Sequence, residues 1–115
     1  MKVSEIVKTT GGSIVSRNSD TTARTVQYAF ASDLMSDVLT LTVDSVLLIT
    51  GLASLQTVRT AMIADISCIL LVRNKQITDD MLALAEDNDI VLLRTDVSMF
   101  RASGLLYSAG LRAVY

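Results

Sequence analysis

Three runs of consecutive aliphatic residues constrain this chain more than any other feature: Val46-Leu47-Leu48-Ile49, Cys68-Ile69-Leu70-Leu71-Val72 and Ile90-Val91-Leu92-Leu93. A strand with one face in water alternates apolar and polar side chains, whereas a run that is apolar at every position is covered on both faces. Each run is followed by a segment of helical spacing, over 54–65, 78–88 and 96–109. In the first of these, Leu55, Val58, Met62 and Ile66 recur every three or four residues. Buried strands alternating with helices predict a parallel sheet between two helical layers. Upstream, the pattern predicts a helix over 3–9 ended by Gly11-Gly12, a short strand over 13–17, a strand over 26–31 and a helix over 33–41. The expected fold is α/β: one domain over 1–115, a three-layer sandwich with a mainly parallel sheet. With no proline in 115 residues, its turns must rely on Gly, Asn, Asp and Ser.

Composition excludes several chemistries. There is no histidine, so the usual neutral-pH base and the commonest transition-metal ligand are missing, and with them zinc sites and Ser-His-Asp or Cys-His catalysis. The single cysteine, Cys68, cannot pair within the chain and sits in an apolar run, where a free thiol behaves as a core residue. Ten basic residues are scattered against twelve acidic ones, net charge -2, and no aromatic-studded basic stripe suggests nucleic acid. No apolar run approaches the ~20 residues of a membrane span, and Met1-Lys2-Val3-Ser4-Glu5 does not open a signal peptide. The expected location is cytoplasmic, with no metal and no cofactor.

In a parallel α/β sheet, ligands sit beyond the carboxyl ends of the strands. The junctions there hold Ser32 and Asp33, Thr50 and Gly51, Arg73, Asn74 and Lys75, and Arg94 and Thr95. Arg73, Lys75 and Arg94 on one rim could meet an anion such as a nucleotide phosphate, or could be solvated loop charges beside Asp79, Asp80 and Asp96. Thr50-Gly51 begins like a phosphate loop, but neither GxxxxGK[ST] nor GxGxxG follows, so the glycine reads as a tight turn. Asp33 and Asp37 lie four apart, as a metal-binding or acid–base pair on one helix face would. The simpler reading is a helix start, with Ser32 or Asp33 accepting first-turn N–H groups.

The last helical segment carries only one charge between Val97 and Leu111, Arg101. Phe100, Gly104, Tyr107 and Leu111 fall on one face, and Met99, Ala102, Leu106 and Ala109 on another. A helix apolar most of the way round is buried on more than one side. A homodimer contact through Met99, Phe100, Ala102, Leu106 and Tyr107 is therefore expected.

Three stretches, AFASDLMSDVL (29–39), LLITGLASLQTVRTAMIADI (47–66) and ILLVRNKQITDDMLALAEDNDIVLLRTDVSMFRASGLLYSAGL (69–111), together resemble DRTGG-domain proteins of the small stand-alone type. The likeness runs from about residue 3 to residue 111 and lies in the order and spacing of segments, with no catalytic signature. DRTGG domains are similar to the N-terminal domain of HPr kinase/phosphorylase, and occur inside some phosphate acetyltransferases and between the CBS domains of some pyrophosphatases. There they are regulatory or interface modules. Stand-alone members are often encoded near iron-only hydrogenase subunits and sensor-kinase-like proteins. The resemblance implies a non-catalytic regulatory or ligand-sensing module. Its implied partners are an adenine nucleotide or other anion at the strand ends, and a protein of a hydrogenase or sensor-kinase system. The alternative is a homodimeric adaptor without a small-molecule ligand. The chain departs from the signature: Gly51-Leu52-Ala53 stands where Gly-Asp-Arg is expected, and Arg73-Asn74-Lys75 where Thr-Gly-Gly is expected.

Overall fold

A computed structural model describes residues 1–115. The elements in chain order are α1 (Val3–Thr10), β1 (Ser13–Ile14), a 3-10 turn (Thr21–Ala23), β2 (Tyr28–Ala31), α2 (Met35–Val38), β3 (Val46–Thr50), α3 (Leu55–Ile63), β4 (Cys68–Leu71), α4 (Asp79–Asp87), β5 (Val91–Arg94), α5 (Met99–Ser108) and β6 (Arg112–Ala113). The six strands form one sheet in the order β1-β5-β4-β3-β2-β6. All neighbours are parallel except β1, which runs antiparallel to β5.

The three aliphatic runs are the middle of this sheet, and every residue of β3 and β4 is buried. Alternation along the strands divides them between two cores. Leu47, Ile49, Leu70 and Leu93 meet Val3 and Ile6 of α1 and Ala102 and Leu106 of α5 on one face. Leu48, Ile69, Leu71 and Leu92 meet Val38 of α2, Val58 and Ala61 of α3 and Met81 and Ala85 of α4 on the other. The three-layer α/β sandwich is thus as expected. Cys68 lies in the first core, where burial pushes its thiol up to about 12, out of reach of thiolate chemistry. No helix is long and apolar enough to cross a membrane.

Local chemistry sets most boundaries. Ser54, Thr78 and Ser98 each accept a first-turn N–H, from Thr57, Met81 and Arg101. Gly11, left-handed at φ 68°, ends α1. Without proline, left-handed turn residues do the reversing: Asp20, Ser45, Asp65, Asn74 and Asp89, with Arg73 the one long side chain among them. An ion pair between Arg24 and Asp89 ties the loop after β1 to the turn before β5. The Arg24 hydrogen bond holds the Asp89 carboxyl below the usual carboxylate range.

Three elements differ most from expectation. The helix expected over 33–41 is only Met35–Val38. The strand expected over 13–17 pairs regularly at Ser13–Ile14 alone, since Val15 and Ser16 both donate to the Leu92 carbonyl. The third difference is β6, which returns the chain to the far edge of the sheet. Because β5 and β6 lie on opposite sides of β4, β3 and β2, α5 must cross the sheet between them.

Candidate functional site

The carboxyl ends of β2, β3 and β4 gather Asp33, Thr50, Gly51 and Arg73. The Gly51 N–H donates to Asp33 Oδ1 at 2.7 Å and the Thr50 hydroxyl donates to the same oxygen at 3.0 Å. Thr50 Oγ1 in turn accepts the Leu52 N–H at 3.2 Å. A Cβ on Gly51 would lie 3.5 Å from Asp33 Oδ1 and 3.7 Å from Arg73 Nη2, so the guanidinium hangs over the glycine beside the carboxylate. This corrects the reading of Asp33 as a helix cap. The residue before α2 is Leu34, with no side-chain cap, and Ser32 Oγ accepts the Leu34 N–H at 3.0 Å in a local turn. Asp33 and Asp37 do not share a helix face, because Asp33 precedes the helix. No group of three acidic or thiol side chains is placed to hold a metal ion.

The other rim residues divide. Arg73 and Asn74 have left-handed backbone, at φ 63° and 52°, and donate their N–H groups to the Val97 and Thr95 carbonyls. That conformation suits glycine, which the DRTGG resemblance leads one to expect at this turn. Thr95 is buried, and its hydroxyl bonds the Thr10 carbonyl at 2.9 Å, so it locks the end of α1 to the end of β5. Neither Arg73, Lys75 nor Arg94 has a carboxylate within 4.0 Å; the acidic neighbours expected from the sequence do not neutralise them. Arg73 is therefore an unpaired cation beside a turn whose Gly51 N–H is already occupied. Asp33 sits as a built-in anion where a ligand oxygen would otherwise be received.

A large cavity lies elsewhere, between α5, the β2 edge and the C-terminal residues. It is a groove of about 480 Å³, mostly apolar, with Phe100, Gly104 and Tyr107 on its helical wall and Phe30, Arg112 and Tyr115 on the other. Phe30 and Tyr115 meet edge to face at 6.0 Å. Phe100, Tyr107 and Tyr115 are 90%, 71% and 85% exposed. The residues expected at a dimer face separate accordingly. Phe100 and Tyr107 point outward; Ala102 and Leu106 are fully buried in the protein's own core and Met99 packs against it. Helical rotation of about 100° per residue places the two sets on opposite sides of one helix. Tyr115 and Phe30 were not singled out from the sequence, since they join the groove only through the β2–β6 pairing.

The DRTGG domain model matches residues 5–109, nearly the whole chain. The chain belongs to the DRTGG domain family. No curated protein matches it. Among solved structures, this DRTGG chain is similar to the CBS and DRTGG domains of the regulatory region of Clostridium perfringens pyrophosphatase, complexed with the activator diadenosine tetraphosphate. The two share 15% sequence identity at a TM-score of 0.72, over 91% of this chain and 45% of the other. The chain thus spans about half the length of that region, and the likeness is one of fold.

Proposed function

We propose that this DRTGG chain is a regulatory module with no catalytic chemistry of its own, which works through protein contact as a homodimer joined at the outer face of α5. The observation that carries the reading is the trio Phe100, Tyr107 and Tyr115, held in water around the groove. Isolated exposed apolar residues are ordinary, but contiguous patches mark interaction sites. Three aromatics of roughly 150–250 Å² each supply on the order of 500 Å² per copy. Doubled, that reaches the roughly 1,000 Å² a specific interface requires. A catalytic role has little to stand on, since the one thiol is buried and the best-placed backbone donor serves Asp33.

Phe100→Glu tests this. The side chain is 90% exposed, so the melting temperature should barely change, while the sedimentation coefficient falls from that of a dimer to that of a 12.4-kDa monomer. A wild-type chain that stays monomeric at its highest soluble concentration would overturn the reading. The cytoplasmic location belongs to this proposal on the reading of the sequence, and the hydrogenase or sensor-kinase setting on the resemblance alone.

A second reading is a nucleotide sensor at the strand-end rim. It is favoured by the three unpaired cations there and by the diadenosine tetraphosphate on the clostridial regulatory region. The phosphates would meet Arg73, Lys75 and Arg94 outside the Asp33–Gly51 bond. Diadenosine tetraphosphate should then raise the melting temperature by mass action, and Arg73→Ala should remove the rise. No shift at millimolar ligand eliminates this reading.

A further inference from the structure

We infer that the two copies join edge to edge through β6, extending each six-stranded sheet into one continuous sheet about a two-fold axis at Ala113; this rests on the homodimer proposed above. β6 is the outermost strand on its side of the sheet. Arg112 and Val114 donate their N–H groups inward, to the Gln27 and Ala29 carbonyls of the neighbouring segment, at 3.3 Å each. Backbone groups alternate in direction along a strand, so the intervening Ala113 turns its N–H and C=O outward. Ala113 is exposed, and its methyl is small enough to let another backbone approach. An unpaired edge of this kind is a template for another strand.

A two-fold axis requires the same patch on both copies. With Ala113 on the axis, two antiparallel β6 strands exchange both N–H···O bonds of a hydrogen-bonded pair. The register also sets Arg112 opposite the partner's Val114, so the two arginines do not face each other. A two-residue edge alone is too short to hold two proteins together. The groove supplies the rest, because Phe100 and Tyr107 flank the same edge. Between them Gly104 has no atom within 4 Å of where its Cβ would be, leaving a notch for a partner's ring.

Ala113→Pro is the discriminating variant. Proline removes an N–H that the fold of the single copy does not use, and is tolerated in edge strands with that side outward. The variant should keep its circular dichroism spectrum. Its self-association should weaken about 30-fold or more, the equivalent of two hydrogen bonds. Hydrogen exchange gives an independent measurement: the Ala113 amide should be protected in the wild-type dimer and exchange freely in Phe100→Glu. Survival of the dimer in Ala113→Pro, together with an unprotected Ala113 amide in the wild type, overturns the edge pairing and leaves the α5 contact standing. A wild-type monomer overturns both.

Discussion

Leu106→Asp is expected to abolish the folded state, not to yield a folded monomer. Leu106 is 1% exposed and belongs to the core that also holds Ile49, Leu93 and Ala102. Removing a buried leucine side chain costs about 2–5 kcal/mol. The new carboxylate has no cation in that core, so it either enters protonated or pulls α5 off the sheet, at a further cost of several kcal/mol. The sum rivals the roughly 5–15 kcal/mol that stabilises a typical domain. Circular dichroism should show loss of helix with no cooperative melt. The comparison with Phe100→Glu, six residues earlier on the same helix, is the sharpest check on the orientation of α5. If Leu106→Asp gave a well-folded monomer, the assignment of its two faces would be reversed.

The second large effect is expected at Gly12. A Cβ there would lie 2.5 Å from the Arg94 carbonyl oxygen and 3.2 Å from Thr10 Oγ1. The first contact is with backbone already engaged beside the β1–β5 pairing, and the second is with a hydroxyl bonded to the Ile6 carbonyl. Neither can swing aside as a flexible side chain could. Gly12→Ala should therefore cost about 3 kcal/mol, the upper range of overpacking. For a domain of this size that corresponds to a fall in melting temperature of roughly 10–20 °C. Gly11→Ala is the control. Gly11 needs its left-handed φ of 68° but has open space around it, so alanine there should cost only about 1–2 kcal/mol. An equal or greater loss at Gly11 would mean that strand β1 is free to shift, and that close approach is not what keeps a glycine at position 12.

Most of the scaffold was legible because its signals are local or repetitive. β3, β4 and β5 declare themselves by being apolar at every position, which only a doubly covered strand tolerates. Ser54 and Thr78 cap the helices they were expected to start, and Gly11 ends α1, because a cap needs nothing more than its own neighbours. Helix lengths were overestimated for the same reason in reverse. The expected helix after Thr95 begins only at Met99, since Val97 first gives its carbonyl to the Arg73 N–H, a contact from another strand end.

The candidate sites were legible as residues but not as arrangements. Asp33 beside Ser32 has the composition of a helix cap. Whether it caps α2 or receives Gly51 and Thr50 depends on β2 lying alongside β3, a pairing across eighteen positions of sequence. The apolar character of α5 was equally plain. Which half of it faces its own sheet follows from the crossing to β6, and β6 carries no signal, being two exposed residues. Residue chemistry along the chain was enough to determine the layers, the caps at Ser54, Thr78 and Gly11, the absence of imidazole chemistry and the DRTGG kinship, because each rests on identity and spacing alone. The anion built into the rim, the outward aromatics and the open edge at Ala113 arise from long-range pairing. Burial and hydrogen bonding there are set by neighbours that only the folded sheet supplies.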